Sequence, residues 1–291
     1  MKDYDLICIL GPTASGKTRF AVELAMQMGG EILSADSRQV YRGMDIGTGK
    51  DLGEYGDIPY HLIDIVDAGT KYNIFEYQHD FEKAYNDVVS RGKYPILCGG
   101  SGLYIEAATC GYSLPQVPPN PALRAQLEPY DDATLIARLA SLKHLHNNTD
   151  YDTRKRLIRA LEIAIYQAEH PTEERLSLPK KCRYIGIDIS REERNQKIDI
   201  RLQQRLDNGM VAEVGKLLSS GIAPEDLIYY GLEYKFITLY LTGSLTYSDM
   251  VEKLRTAIHQ FAKRQMTWFR GMERKGIEIE WITRDQSITF S

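Results

Sequence analysis

The chain opens on an unbroken apolar run, Leu6-Ile7-Cys8-Ile9-Leu10, closed by Gly11. A run of this kind predicts a strand buried on both faces of a parallel sheet. Phe20 to Met28 then reads as a helix that Gly29-Gly30 stops. Glu31-Ile32-Leu33-Ser34-Ala35 predicts a second strand ending on Asp36, and Tyr60 to Ile65 a third. A helical stretch covers Ile74 to Ser90, followed by the strand Pro95-Ile96-Leu97-Cys98 and the turn Gly99-Gly100-Ser101-Gly102. Strands alternating with helices predict an α/β fold with a doubly wound parallel sheet, whose ligands bind at the carboxyl ends of its strands.

The alternation then breaks. Leu114 to Pro121 holds four prolines, which argues against a helix or a central strand there. Ala122 to Ala168 reads as helical, interrupted by the polar segment His144 to Asp150, and strand signal returns only at Tyr184 to Asp188. The remainder is helical, notably Ile198 to Leu218 and Met250 to Met272, with a last strand at Ile277 to Ile282. The expected organisation is a P-loop catalytic core made of residues 1–114 and 181–291, carrying a helical C-terminal region. A helical insertion domain, 115–180, interrupts it.

Composition narrows the class without deciding it. With 291 residues, 43% hydrophobic and 26% charged, the chain is an ordinary globular protein. A net charge of −4 advertises no general affinity for nucleic acid, so any such evidence must be local. The four cysteines, Cys8, Cys98, Cys110 and Cys182, form no CxxC pair, which argues against a zinc site or a disulfide framework. Met1 to Asp5 lead straight into a strand-like run, so no secretory h-region is expected there. No apolar stretch approaches the roughly 20 residues that span a bilayer. A reduced, cytoplasmic enzyme with no membrane partner is the expectation.

Between the first strand and the first helix lies Gly11-Pro12-Thr13-Ala14-Ser15-Gly16-Lys17-Thr18, a full match to GxxxxGK[ST] in its confirming context. Glycines let backbone N–H groups curl around phosphate oxygens, and the following helix presents its positive end. Lys17 adds a full charge, and the Thr18 hydroxyl can ligate magnesium. A nucleotide is the default ligand of such a loop. Asp36, at the end of the second strand, falls near it. That carboxylate could hold Mg2+ through water, act as a base, or simply cap a following helix.

Several stretches carry a resemblance. Gly11 to Thr18, Ser34-Ala35-Asp36-Ser37-Arg38-Gln39-Val40-Tyr41 continuing to Thr48, Gly99 to Tyr104, Arg156 to Glu162 and Ala262 to Trp268 occur in the order seen in tRNA dimethylallyltransferases (tRNA isopentenyltransferases). The chain resembles that family from residue 6 to about 270. The resemblance implies transfer of a dimethylallyl group from dimethylallyl diphosphate to the exocyclic amine of the adenine 3′ of the anticodon, with release of diphosphate. The P-loop then grips the donor's diphosphate. Asp36 matches the family's general base, and Ser101 a channel hydroxyl that is usually threonine. Arg201 matches the diphosphate-binding arginine, with Lys197 the alternative register. Lys17 and a Thr18-bound Mg2+ complete the charge stabilisation.

The same resemblance makes Asp36, Ser37, Arg38 and Gln39 contacts of a flipped adenine and its neighbours. It makes Lys155, Arg156, Leu157, Ile158 and Arg159 a tRNA-contacting motif on the insertion, with Lys155 in place of glutamine. There the stripe Leu157, Leu161 and Ile165 would pack the helix on the sheet domain. Lys263 and Arg264 belong to a second basic region that also holds Lys253, Arg255, Arg270, Arg274 and Lys275. Trp268 and Phe269 there could stack on bases or lie in the core. Two departures stand out: Ile258-His259-Gln260 replaces threonine-arginine-glutamine, and Glu233 stands at a glycine position within Tyr230 to Lys235. Both are expected to lie away from the donor site. The implied partners are the anticodon arm of tRNA and dimethylallyl diphosphate, bound by a monomer. The alternatives are a P-loop small-molecule kinase with a helical lid, an adenylate isopentenyltransferase acting on free AMP, and a non-enzymatic RNA-binding module.

Overall fold

A computed structural model describes residues 4–111, 117–143, 151–170 and 176–283. The chain divides into two units, Met1–Gly111 with Ser177–Ser291, and Tyr112–Leu176. Among the described residues, no helix is long and apolar enough to cross a membrane.

The first unit is built on a parallel sheet of six strands in the order β4-β2-β6-β1-β7-β8. These are β1 (Leu6–Leu10), β2 (Gly30–Ser34), β4 (Tyr60–His61), β6 (Tyr94–Gly99), β7 (Cys182–Ile187) and β8 (Ile279–Ile282). A separate two-stranded parallel pair joins β3 (Tyr41–Arg42) to β5 (Val66–Asp67). β1 is central and fully buried, and its side chains alternate between two cores as the pleat demands. Ile7 and Ile9 meet Ala21, Val22, Leu24 and Ala25 of α1 (Lys17–Met28) on one face. Leu6, Cys8 and Leu10 meet the larger core on the other.

That larger core is covered by α2 (Ile74–Ser90) and α3 (Gly102–Thr109), and by the later helices α7 (Arg191–Asp207), α8 (Met210–Ser219), α9 (Pro224–Tyr229), α10 (Leu232–Leu241) and α11 (Tyr247–Arg274). α11 owes its length to a regular stripe, Met250, Leu254, Ile258, Ala262, Gln265, Phe269 and Met272, all buried. Gln265 is the one polar member of the stripe.

The second unit holds α4 (Pro121–Leu127), α5 (Asp132–Leu142) and α6 (Arg154–Glu169). Its own small core joins Leu127, Leu135, Leu139, Leu157 and Leu161. Leu157 and Leu161 of the α6 stripe fill this core, and Ile165 lies outside it. Pro121 starts α4 at its first position, where the missing N–H costs nothing, so the proline segment does admit a helix. The stretch His144 to Asp150 lies outside the described residues.

Other expected elements shift for local reasons. The third strand keeps only Tyr60–His61, because Leu62 and Asp64 turn into the left-handed region at φ 65° and 56°. Ile198 to Leu218 is two helices, separated at Asn208 and Gly209. The turn through Gly102 is in fact the start of α3.

Candidate active site

The carboxyl ends of β1, β2 and β6 open on a cavity of about 540 Å³, wholly within the first unit. The phosphate loop forms one wall. Gly16 adopts φ 85°, a left-handed turn that lets the loop pass directly into α1. α1 has no side-chain cap and no acidic residue in its first turn, so its positive end stays available to an anion. Lys17 lines the cavity, its Nζ donating to the Pro12 carbonyl at 3.3 Å. Burial lowers its pKa, as does Arg201, against the opposing pull of Cys98 and Asp36. Thr18 also lines the cavity, its hydroxyl against the Cys98 thiol, which burial pushes up to about 12.

Asp36 leaves β2 opposite this loop. Its Oδ1 accepts from the Arg38 N–H at 2.9 Å, capping a turn rather than a helix. Ser101 is joined to it indirectly: the Ser37 N–H donates to Ser101 Oγ at 3.2 Å, tying the end of β2 to the start of α3. Gln39 accepts from the Ser34 hydroxyl at 3.1 Å and donates to the Gly49 carbonyl at 3.2 Å. Arg38 reaches the exposed Tyr229, its guanidinium 5.6 Å from the ring centre.

The cavity thus brings together Lys17, Thr18, Asp36, Ser37, Arg38, Gln39, Ser101, Arg201 and Arg264. It does not include Lys197, which pairs with Glu193 at 2.6 Å, or Lys263. Of the remaining loop residues, Thr13 lines it, while Gly11, Pro12, Ala14, Ser15 and Gly16 shape the turn behind it. In the second unit, Lys155 and Arg156 are exposed on α6, and Arg156 pairs with Asp152 at 2.6 Å. Leu157 is fully buried, and Ile158 packs against the same core. Arg159 is half-buried, donating to the Val117 carbonyl at 2.8 Å and to buried Glu162. Hydrophobic burial therefore occupies two of the five motif residues and ion pairs two more.

Several lining residues escaped the sequence reading. Gln265 accepts from the Thr13 N–H and donates to the Gly100 carbonyl, both at 2.9 Å, and so locks the phosphate loop to the turn after β6. A lone amide within an apolar helical stripe was its signal. Arg205 lines the cavity one turn after Arg201; the four-residue spacing on one helix face was there to be read. Glu213 lies outside the cavity but shapes it. Its carboxylate accepts from the N–H groups of Asp45, Ile46 and Gly47 at 2.7–3.0 Å and from the Tyr234 hydroxyl at 2.6 Å. Nothing in the sequence pairs α8 with that loop.

The two departures do not lie away from the donor end. Ile258 and Glu233 both line the wall that carries Thr13 and Arg201. Glu233 is helical in α10, and the positive φ of that segment, 138°, lies at Gly231. His259 instead ties α11 to Asp199 of α7 at 2.8 Å. Phe269 is core, whereas Trp268 lines the cavity, its indole N–H donating to buried Glu106 at 2.8 Å.

The IPP transferase family model matches residues 39–272, and an isopentenyl transferase model matches residues 4–55. The chain belongs to the IPP transferase family. Its relatives include tRNA dimethylallyltransferase 2 of Bacteroides fragilis, 59% identical over 286 residues, covering 97% of this chain and 94% of that one. Another is tRNA dimethylallyltransferase 1 of Parabacteroides distasonis, 59% identical with coverage of 97% and 93%. Among solved structures, the tRNA isopentenylpyrophosphate transferase of Bacillus halodurans superposes with a TM-score of 0.71 at 32% identity, covering 96% of this chain and 89% of that one. A eukaryotic dimethylallyltransferase acting on tRNA gives 0.78 at 26% identity, covering 96% and 73%. Family membership sets the small-molecule kinase aside.

Proposed function

We propose that this chain transfers a dimethylallyl group from dimethylallyl diphosphate to the exocyclic amine of the adenine 3′ of the anticodon in tRNA. The carrying observation is that a phosphate loop and a carboxylate, Asp36, face one chamber of about 540 Å³. That size suits a small donor together with a base turned out of its stack. At one end, Lys17, Arg201 and the backbone N–H groups at the start of α1 neutralise the diphosphate. The allylic carbon–oxygen bond breaks as the carbon–nitrogen bond forms, and the diphosphate leaves with the bonding pair. An adenine amine is a poor nucleophile because its lone pair is conjugated into the ring. Asp36 takes the proton the amine must shed. Ser101 lines the path between them.

The donor set fits Mg2+. Among the described residues, no cluster of three or more His, Cys, Asp or Glu could hold a metal. A hydroxyl such as that of Thr18, a water-bridged Asp36 and diphosphate oxygens are the sparse oxygen set that Mg2+ accepts. When bound, the ion would supply further neutralisation of the diphosphate.

Ser37, Arg38 and Gln39 contact the extruded adenine and its neighbours in this reading. Arg264 at the cavity wall, with Lys263, Lys155 and Arg156 on exposed helix faces, meets tRNA phosphates of the anticodon arm. On α6, Leu157, Ile158 and Arg159 support Lys155 and Arg156 from beneath. A monomer working in the cytoplasm completes the reading. The test is incubation with dimethylallyl diphosphate, Mg2+ and an unmodified tRNA carrying adenine beside its anticodon, read by mass analysis of the nucleosides. Prenylated adenine is expected, with free AMP left unmodified. Absence of the product, or prenylation of AMP alone, would overturn the proposal.

A further inference from the structure

Three of the exposed large apolar side chains, Leu103, Phe261 and Trp268, line the chamber. Tyr229 does not, although Tyr230, Gly231 and Leu232 directly after it do. Tyr229 therefore stands at the rim, the last residue of α9, and is 61% exposed. A single exposed aromatic is ordinary on a protein surface and needs no ligand to explain it. What sets Tyr229 apart is how it is held.

Tyr230, the next residue, is buried, with its ring centre 4.4 Å from that of Tyr41. Its hydroxyl donates to the Thr70 carbonyl at 3.0 Å and accepts from the Gly69 N–H at 2.8 Å. That anchor fixes the backbone on which Tyr229 stands, and the two tyrosine rings meet edge-on with centres 6.0 Å apart. The Arg38 guanidinium lies over the Tyr229 ring, and Arg38 itself lines the chamber. Among the described residues, that guanidinium makes no hydrogen bond or ion pair, and neither does the Tyr229 hydroxyl. A cation on an exposed ring adds little to stability. A rigid ring braced by an unspent guanidinium at the edge of a chamber is instead what an unpaired nucleotide recognises, since bases splayed out of a stack lie on aromatic rings and arginine planes.

We propose that Tyr229, braced by Arg38, is a stacking platform for a base that immediately flanks the adenine entering the chamber. This rests on the reading that an unpaired adenine is the acceptor, and it adds a residue outside the chamber that holds the neighbour. Extrusion strips the flanking base of its stacking partner, and the cost of that loss opposes the reaction. A ring fixed at the rim replaces the lost partner and so offsets part of the cost. Because every base has a π face, Tyr229 contributes affinity without selecting which base flanks the adenine.

The test measures binding of the full chain to RNA hairpins that carry an anticodon stem and loop. One is intact, one lacks the base 5′ of the target adenine, and one lacks the base 3′ of it. Wild type is compared with Tyr229→Phe, Tyr229→Leu and Tyr229→Ala. On the intact hairpin, the Leu and Ala variants should bind roughly 5- to 100-fold more weakly, the loss of one stacked base, and the Phe variant should match wild type. One of the two abasic hairpins should cost wild type a similar factor and cost the Leu and Ala variants nothing further, since ring and base form a single interaction. In transfer assays the KM for tRNA should rise while the donor KM stays unchanged. A purely structural role would lower the unfolding temperature and weaken all three hairpins alike, and that additivity would overturn the proposal. Wild-type affinity for the intact hairpin in Tyr229→Leu or Tyr229→Ala would overturn it too, and either variant suffices where the other does not fold. If that happens while wild type still prenylates the hairpin, the platform falls and the functional reading stands. If wild type neither binds nor prenylates the intact hairpin, the functional reading falls and the platform with it.

Discussion

The turn contact of Asp36 and the base role proposed for it are separated by one pair of substitutions. Its Oδ1 accepts from the Arg38 N–H at 2.9 Å, and its carboxylate faces the chamber that holds Lys17 and Ser101. Asp36→Asn keeps an acceptor oxygen for the turn but cannot take a proton. Asp36→Ala removes both. The turn hydrogen bond contributes about 0.5–1.5 kcal/mol to stability, so Asn should unfold close to wild type and Ala measurably earlier. Loss of a positioned base slows proton transfer by roughly 10²–10⁴, about 3–5 kcal/mol of barrier. The assay is single-turnover transfer with enzyme in excess over labelled tRNA, run beside tRNA binding and thermal unfolding. Both variants should lose that rate while Asp36→Asn keeps tRNA affinity. If Asp36 were only a cap, Asn would transfer at the wild-type rate and Ala alone would suffer. That outcome refutes the base.

Two further outcomes follow from the second unit. Burial would raise the Glu162 pKa, but hydrogen bonds from Arg124, the Asn120 N–H and Arg159 hold it near about 2 instead of 4.5. A depressed carboxylate stabilises above its unfolded value, so this contribution, roughly 3 kcal/mol, is complete above about pH 4.5 and fades as pH falls towards about 2. Hydrogen exchange of α6 should therefore be faster in Glu162→Gln than in wild type near neutrality and converge in acid; equal exchange at pH 7 would contradict it. Arg156, exposed and paired with exposed Asp152, can trade that weak pair for a phosphate. Arg156→Ala should reduce the salt dependence of tRNA binding by about one unit of slope, and an unchanged slope would remove it from the interface.

What the sequence by itself determined is the part governed by short-range sterics and periodicity. The β1 run alternates its side chains between two cores, and Gly16 makes the turn that turns a strand into a phosphate loop. Asp36 followed from its position at a strand end, where a doubly wound sheet gathers its ligands, and Ser101 from the resemblance alone. Motif order gave Arg201 over Lys197, and the cavity includes only the former. Motif order could not tell which of its residues reach the surface. Leu157 and Arg159 sit in the middle of a basic stretch, yet one is consumed by the small core and the other by Glu162.

The remainder was decided by tertiary packing. Gln265 meets Thr13 across 252 residues of chain, and Glu213 meets the loop at 45–47 across more than 160. Arg205 acquires its surroundings only because α7 lies against Gly49 and α10. No local preference encodes such meetings. They exist because apolar stripes on α7, α10 and α11 had to be buried on the same face of the sheet, and the few polar groups carried in with them had to find partners there or wait for a ligand.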